Sequence, residues 1–376
     1  MPAGRPTGAD RLRVAVDATP LLGARSGIGV VTFHLLEALA ARPDVRILAY
    51  SVSWRGRREI VRDVPSGVVT STRPMPDRPL HLAWEHLGWP PIEYWTGATD
   101  VVHGTNYDVP PSRRAATVVT VNDLAIVRFP DLCQPATRPY PGRVRRAIER
   151  GAFVHTPSAF VAAETVELLG AHPERVRVVH YGVPPVSARP PGQTGVDGRY
   201  ILAVGTIEAR KDHPTLVRAF DQIAAAHPDV RLVIAGGEGG AGAALGAAID
   251  AAHHRGRIEL LGRVDDARRD ALLASASVLA YPSRYEGFGL PPLEAMTVGV
   301  PVVATTGGSL PEVLGDGALL VPPADPEALA AALATVLDDD AVRSDLIARG
   351  RRWAAQYSWA DCAQGLEDLY RSAAAG

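Results

Sequence analysis

The chain has 376 residues, of which 47% are hydrophobic and 21% are charged, and its formal net charge at pH 7 is −2. These values are ordinary for a folded globular protein and exclude a disordered or fibrous chain, and the length predicts two domains. A net charge this close to zero gives no electrostatic reason to expect nucleic acid as a partner.

The first half of the chain predicts alternating strands and helices. It begins with the strand LRVAVDA (12–18), the glycine turn RSGIG (25–29) and the helical pattern VVTFHLLEALA (30–40). Gly27 and Gly29 lack the third glycine of a GxGxxG fingerprint, so the turn is either a tight bend or a loop whose N–H groups contact a diphosphate. Further short β-branched runs predict buried parallel strands at 45–50, 100–105, 116–123, 153–158 and 176–181.

The second half repeats this organisation after a break. Residues 184–198 are rich in proline and glycine and predict an interdomain linker. Apolar runs at 200–206, 230–237, 257–262, 277–283, 300–305 and 317–323 then alternate with helical patterns. We therefore predict an α/β protein with two doubly wound domains, at 12–183 and 199–356, and a C-terminal helix (357–376) that crosses back to the first domain.

The stretch GTIEARKDHP (205–214) contains Lys211, the only lysine of the chain beside 38 arginines. A lysine that persists in such a chain indicates a site where a compact ammonium group differs from a planar guanidinium. Arg210 and Lys211 follow the strand 200–206, and ligands of open α/β sheets bind beyond the carboxyl ends of strands. The pair therefore predicts a diphosphate site.

Two glutamates frame a glycine- and proline-rich stretch, YPSRYEGFGLPPLEAM (281–296). Glu286 and Glu294 are eight residues apart, with Gly287 and Gly289 between them and two prolines where a helix would begin. The glycines allow a ligand to approach the backbone closely. We expect phosphate or sugar oxygens at this helix N-terminus and a ribose diol at Glu294.

Charge is divided unevenly along the chain. Residues 1–195 carry 23 arginines against 17 acidic residues, and residues 196–376 carry 16 cations against 24 acidic residues. The first-half arginines concentrate at 54–62 and 138–150, which indicates solvated helix faces or contact with an anionic membrane surface. Because residues 1–11 show no signal-like run and no stretch approaches ~20 apolar residues, we expect a cytoplasmic protein, with peripheral contact at the inner face of the membrane as the alternative.

Together these motifs resemble glycosyltransferase family 4, whose members use nucleotide-sugar donors, retain the anomeric configuration and share the GT-B fold of two Rossmann-like domains with a cleft between them. The resemblance covers residues 12–372 and is closest to the bacterial α-mannosyltransferases. The segments that carry it are the glycine turn, HGTNYDVPP (103–111), VVTVNDL (118–124), RVRVVHYGV (175–183), GTIEARKD (205–212), LGRVDD (261–266) and EGFGLPPLE (286–294).

The resemblance implies roles for the matching residues. Glu286 would bind hydroxyls of the donor sugar, Glu294 the ribose, and Arg210 and Lys211 the diphosphate. The backbone of Val264 would border the nucleobase. Further donor contacts are implied for Gly27, Gly29, Thr206, Phe288, Gly289 and Leu290. Acceptor contacts are expected at His103, Asn106, Tyr107 and Asp123, with a structural role in the core as the alternative for His103.

Two positions depart from the family pattern. Many relatives have histidine where VVTVNDL has Asn122, and an amide can hydrogen-bond a sugar hydroxyl but cannot exchange a proton near neutral pH. Relatives often have a glycine-arginine pair where this chain has Gly205 and Thr206. Arg210 and Lys211 are then left to supply the positive charge.

We therefore predict a retaining glycosyltransferase that moves a hexose, mannose from GDP-mannose, to a glycan or lipid-linked acceptor. Asn122 is grouped with Glu286, Arg210 and Lys211 as catalytic. We expect no metal and no cofactor, because Cys133 and Cys362 have no ligand cluster and the acidic run 338–340 falls at a helix end. The alternatives are a UDP-sugar-dependent enzyme of the same fold and a non-catalytic nucleotide-sugar binder.

Overall fold

The computed structural model describes residues 11–23, 27–186 and 194–376. The chain forms two compact units: unit 1 comprises Met1–Leu124, Pro139–Pro184 and Tyr357–Gly376, and unit 2 comprises Ala125–Arg138 and Pro185–Gln356. The predicted first domain ran unbroken to residue 183, whereas Ala125–Arg138 groups with unit 2. Part of the glycine turn (24–26) and part of the predicted linker (187–193) lie outside the described residues.

The described residues form thirteen strands, all in parallel pairings, with one sheet in each unit. In unit 1, β1–β7 are Leu12–Asp17, Val45–Tyr50, Val69–Thr70, Val101–Gly104, Ala116–Thr120, Phe153–Thr156 and Val176–Val178. In unit 2, β8–β13 are Arg199–Val204, Val230–Ala235, Ile258–Gly262, Val278–Tyr281, Val302–Thr305 and Leu319–Val321.

Fifteen α-helices connect or cover these strands in the described parts of the chain. The helices α1–α7 are Gly27–Ala40, Ile60–Asp63, Asp77–His86, Glu93–Thr96, Ala125–Arg128, Tyr140–Glu149 and Ala159–Leu169. The helices α8–α15 are His213–Ile223, Gly242–Ala251, Asp266–Ser275, Leu290–Val298, Leu310–Leu314, Pro326–Asp338, Asp340–Ala354 and Trp359–Ala375. Each of these described helices is too short or too polar to span a bilayer.

Both sheets reverse their order at one strand pair. The order is β3-β2-β1-β4-β5-β6-β7 in unit 1 and β10-β9-β8-β11-β12-β13 in unit 2. The loops after β1 and β4, and those after β8 and β11, lead to opposite sides of their sheets, which leaves room for a ligand at the carboxyl edge. The central strands are apolar on both faces and almost fully enclosed, as in Val14–Val16 and Val302–Ala304.

The C-terminal helix α15 packs within unit 1 against α1, β4 and β5. A chain of buried polar groups ties it to the sheet. The Tyr370 hydroxyl lies 2.7 Å from His103 Nδ1, His103 Nε2 lies 2.7 Å from Thr120 Oγ1, and Thr120 Oγ1 lies 2.9 Å from His155 Nδ1. His155 Nε2 lies 3.0 Å from the carbonyl of Val179.

The Val179 carbonyl, the last acceptor in this series of buried groups, fixes the direction of each hydrogen bond between Tyr370 and Val179. A carbonyl only accepts, so His155 Nε2 carries the proton and Nδ1 accepts from Thr120. Thr120 then accepts from His103 Nε2, and Tyr370 donates to His103 Nδ1. Burial lowers the pKa of both histidines, to about 4 for His155, so both rings are neutral as this pattern requires.

Candidate active site

The predicted phosphate-binding cations of unit 2 lie at the carboxyl edge of its sheet, beside the β8–β11 pair. Arg210 and Lys211 end a single 3₁₀ turn, Ala209–Lys211, that follows β8. Lys211 Nζ lies 2.5 Å from Glu286 Oε1, and Arg210 Nη1 lies 3.0 Å from Glu286 Oε2. The fold thus joins two adjacent predicted cations to a predicted glutamate that lies 75 positions after Lys211 in sequence.

Glu286 is ionised in this cluster despite its burial. Burial alone would raise the pKa of its carboxyl group, but the charges of Lys211 and Arg210 and the hydrogen bond from Lys211 outweigh it and hold the pKa at about 2. Lys211 shows the opposite balance, because burial lowers the pKa of its ammonium group and Glu286 offsets only part of the change. A carboxylate between two cations is therefore fixed at the centre of the site.

Tyr281, the last residue of β11, completes the surroundings of Lys211. Its hydroxyl lies 2.5 Å from Lys211 Nζ, and the same nitrogen lies 4.6 Å from the centre of the Tyr281 ring. Only 11% of the Lys211 side chain is exposed. This enclosure surrounds a compact ammonium group, whose geometry a planar guanidinium does not reproduce, and this gives a physical reason for the one lysine of the chain.

The loop after β12 holds the backbone of Glu286 in place. Ser309 donates both its N–H and its hydroxyl to the Glu286 carbonyl, at 2.9 and 3.0 Å. Gly308 has φ +68°, and a Cβ at this position would overlap the Glu286 backbone. The glycine is therefore required for the close approach of these two loops.

Two further contacts join the β8 and β11 loops. The N–H of Arg284 donates to the carbonyl of Arg210 at 2.8 Å, and the Arg284 guanidinium lies 2.8 Å from the buried carboxylate of Asp212. Phe129, from the segment Ala125–Arg138, packs edge-on against Tyr285 beside Glu286. The loop that carries Glu286 is thus supported from several directions within unit 2.

The helix α11 begins directly after this loop. Gly289 precedes it with φ +107°, a conformation that favours glycine. Two of the first four residues are prolines, so only Leu290 and Leu293 have an N–H in the first turn. The predicted N-terminal anion site therefore has fewer donors than an ordinary helix would offer, and Arg210 and Lys211 carry more of the charge.

Glu294 lies on α11 and is almost fully buried. Burial raises the pKa of its carboxyl group, and Arg269, with Nη1 3.5 Å from Oε1, reduces the rise. Arg269 is itself held by Asp270 at 2.8 Å. This partner on α10 orients the carboxylate that the sequence assigned to a ribose.

The other predicted donor residues lie elsewhere in the two units, and their roles, like those of the residues above, stay predictions. Thr206 is exposed after β8, and Val264 is partly exposed in the turn between β10 and α10. Phe288 and Leu290 flank Gly289 at the start of α11. Gly27 and Gly29 lie in the first turn of α1 in unit 1, Gly27 exposed and Gly29 buried.

Asn122 lies in unit 1 after β5, and its amide has a fixed orientation. Its Oδ1 accepts a hydrogen bond of 2.7 Å from the Tyr181 hydroxyl, and its Nδ2 donates to the Thr105 carbonyl at 3.3 Å. Burial raises the pKa of Tyr181, so this hydroxyl keeps its proton at neutral pH. One amide N–H of Asn122 then remains to serve a ligand.

The four predicted acceptor residues divide in the structure. His103 has no exposed surface and both its nitrogens are bonded, so its assignment to the acceptor is wrong: it is part of the buried chain to Tyr370. Tyr107 stacks on Tyr140 and receives the N–H of Asp123 at 2.9 Å. Asn106 lines a cavity of unit 1.

Sequence reasoning missed Tyr281, Ser309 and Arg269. Tyr281 resembles a core aromatic at a strand end, and Arg269 is one of 38 arginines. Ser309 follows a Gly-Gly pair directly after β12, and that position at a strand end is a signal that could have identified it. In the described ranges, no group of three His, Cys, Asp or Glu side chains is arranged to hold a metal ion.

Comparison with known proteins identifies the class of this fold and site. Residues 188–353 match the family model described as glycosyl transferases group 1, and residues 25–186 match that of glycosyltransferase family 4. The chain superposes on sucrose-phosphate synthase from Thermosynechococcus elongatus with a TM-score of 0.75 and 21% identity, over 96% of this chain and 99% of that one. The two parallel sheets thus form the predicted GT-B fold of a glycosyltransferase.

Two curated relatives narrow the assignment. The O-antigen chain mannosyltransferase B of Escherichia coli is 32% identical over 72% of this chain and 74% of its own length. The D-inositol 3-phosphate glycosyltransferase of Kineococcus radiotolerans is 31% identical over 83% of this chain and 77% of its own. The chain belongs to glycosyltransferase family 4.

Proposed function

We propose that this enzyme is a retaining mannosyltransferase that uses GDP-mannose as donor and a glycan or lipid-linked acceptor, without a metal ion. The observation that carries the proposal is the Arg210–Lys211–Glu286 cluster at the carboxyl edge of the β8–β11 pair. A relative named as a mannosyltransferase supports the choice of sugar.

The cations would stabilise the departing diphosphate. The bond between the anomeric carbon and the diphosphate oxygen breaks, and the charge that develops on that oxygen meets Lys211 and Arg210. Fixed charges in a partly buried site need little reorganisation when the reaction occurs. Lys211 also has few water contacts to lose, because it is nearly enclosed.

The acceptor hydroxyl would form its new bond on the face from which the diphosphate leaves. This front-face displacement retains the anomeric configuration, and the leaving phosphate oxygen takes the proton of the acceptor hydroxyl. Glu286 acts here as a ligand of the donor sugar and not as a nucleophile, because its two oxygens are bonded to Lys211 and Arg210. Lone pairs on both oxygens remain for sugar hydroxyls.

Nucleotide binding and turnover test this proposal together. Calorimetric titration with GDP, UDP and ADP reports the base, and hydrolysis or transfer from GDP-mannose reports activity. We expect GDP to bind most tightly and GDP-mannose to be consumed, with the α-anomer retained in the product by NMR. Tighter binding of UDP would replace the donor by a UDP-sugar, and nucleotide binding without turnover would indicate a non-catalytic binder.

Contact with an anionic membrane is proposed for residues 54–62 of unit 1. Trp54 and Val61 are more than half exposed here, beside the exposed Arg55, Arg58 and Arg62. The other basic segment, 138–150, is engaged internally, as Arg146 pairs with Glu85 and Arg150 donates to the Trp84 carbonyl. Co-sedimentation with phosphatidylglycerol vesicles should fall on substitution of the three arginines by glutamine, and unchanged binding would remove this assignment.

A further inference from the structure

A second ligand site is indicated in unit 1. A cavity of about 190 Å³ opens beside the loops after β1 and β4, the pair at which the order of the first sheet reverses. This is the position in its own sheet that the cation cluster occupies in the sheet of unit 2. One water molecule occupies on the order of 10–15 Å³ when cavity volume is measured in this way. A cavity of about 190 Å³ therefore has room for a polar molecule the size of a sugar ring.

The polar lining of this cavity is negatively charged. Asp17, Asp77 and Asp108 contribute carboxyl groups, against His81 and Arg143. The two nitrogens of His81 each lie 3.0 Å from a carboxylate, of Asp77 and of Asp108, and Arg143 lies 3.5 Å from Asp108. The sum is negative whether His81 is charged or neutral, so a phosphate group would meet net repulsion.

Two acceptors at the cavity, one on Asp17 and one on Asn106, lack donors within the described residues. Asp17 Oδ1 receives the N–H and the hydroxyl of Thr19, whereas Oδ2 has no hydrogen-bond partner. Asn106 Oδ1 is buried and unpaired. Burial, with the nearby charge of Asp108, raises the pKa of Asp17 to about 6, although the two hydrogen bonds from Thr19 act in the opposite direction.

A ligand rich in hydroxyl groups can donate to Asp17 Oδ2, the acceptor without a partner that the cavity lining leaves accessible. Hydroxyl groups donate to carboxylates at no electrostatic cost, and Arg143 can donate to the ring oxygens. Tyr140, also in the lining, offers an aromatic surface to the apolar face of a ring.

We propose that this cavity binds an uncharged polyhydroxylated ring, a pyranose or a cyclitol, as part of the acceptor. The inference rests on the proposed function only in assigning the ring to the acceptor. Because a ring that carries phosphate would not be accepted at this position, the inference favours the mannosyltransferase among the named relatives over the D-inositol 3-phosphate glycosyltransferase. Asp17 and Asp108 are the residues that set this preference.

Binding of matched ligand pairs tests the inference without nucleotide. The probes are myo-inositol with its 3-phosphate and D-mannose with its 6-phosphate, added to the full chain and measured by saturation-transfer NMR. At least one uncharged ring should bind, at least tenfold more tightly than its phosphorylated partner. Absence of transfer to both uncharged rings, or equal binding of a phosphorylated ring, would overturn the proposal.

Two isosteric substitutions locate the binding in the cavity. Asp17→Asn and Asp108→Asn should each weaken binding of the uncharged ring about tenfold and narrow its advantage over the phosphorylated one. Glu174→Gln, whose side chain is 87% exposed elsewhere on unit 1, should change neither. Unfolding in urea identifies a variant that does not fold, and unchanged ring binding in both folded variants would contradict the site.

The ring-binding test and the test of the proposed donor can fail independently of each other. A chain that binds the ring through Asp17 but no nucleotide would keep this site and overturn the proposed donor. A chain that binds GDP but neither uncharged ring would overturn the present inference alone.

Discussion

Lys211 is the residue on which most of the proposed chemistry depends. Lys211→Ala should lower turnover of GDP-mannose by about 10²- to 10³-fold, the effect of losing one preorganised charge that stabilises a transition state. Steady-state kinetics with a parallel urea titration separates this loss from unfolding. Lys211→Arg serves as the control for charge, and it should recover only part of the activity because the site encloses a compact ammonium group. Turnover of Lys211→Ala equal to that of the unsubstituted enzyme would remove the phosphate role.

Tyr281 should act through Lys211. Tyr281→Phe keeps the ring beneath the ammonium group and removes only the hydroxyl at 2.5 Å. We expect turnover to fall by about tenfold or less. The loss of one hydrogen bond costs about 0.5–1.5 kcal/mol, and 1.4 kcal/mol corresponds to a factor of ten in rate. A double-mutant cycle provides the test: in the Lys211→Ala background the same substitution should have no further effect. An equal loss in both backgrounds would show that the hydroxyl acts elsewhere.

Some residues of the candidate site can be identified from the sequence alone, and others cannot. Lys211 was found because it is unique in composition, and the two glutamates because glycine and proline frame them. Asp17 and Asp108 gave no such signal, because the one is an ordinary acidic residue at the end of β1 and the other follows β4, and only the fold places them in one cavity. His103 was misassigned because its strand-end position resembles a site, while its neighbours in space enclose it.

At the scale of elements, the buried chain from Tyr370 to Val179 makes the stability of unit 1 depend on pH. The pKa of His155 is about 4 in the fold, against an ordinary value of 6.5, so below pH 6.5 the unfolded state takes up a proton that the folded state refuses. The contribution of His155 to the free energy of unfolding is therefore complete above pH 6.5 and declines as the pH falls towards 4.

His155→Gln tests this dependence, because its amide can reproduce both hydrogen bonds without titrating. The slope of unfolding free energy against pH, measured in urea near pH 5, should decrease by up to about 1.4 kcal/mol per pH unit, the contribution of one proton. His172→Gln, exposed on the same unit, should leave the slope unchanged. An unaltered slope in His155→Gln would mean that His155 is protonated in the folded chain.

Most strands were predictable from the sequence, as in β1 and β12. A short run of β-branched residues is typical of a strand that is buried on both faces of a parallel sheet. The two-residue strand β3 was missed, since Val69 and Thr70 make too short a pattern. The placement of Ala125–Arg138 could not be predicted either. It depends on contacts such as Phe129 with Tyr285 and Gln134 with the Gly239 carbonyl, which no local pattern records.

At the scale of the whole molecule, unit 1 depends on the last helix of the chain. Removal of residues 357–376 deletes the buried Leu366, Leu369 and Tyr370 and leaves His103 without its donor. Hydrogen exchange measured by mass spectrometry should show loss of protection in β4 and β5, while β8 and β11 in unit 2 keep theirs. Equal protection of β4 in the full and shortened chains would show that the helix is dispensable.

The interleaved composition of the two units has a consequence for synthesis on the ribosome. Unit 2 has all of its residues once Gln356 has been translated, whereas unit 1 still lacks α15. The faces of β4 and β5 that α15 covers therefore stay exposed on the nascent chain while the whole of unit 2 is synthesised. The portion of the protein that is translated first is the last to complete its fold, and chaperones would encounter it in that interval.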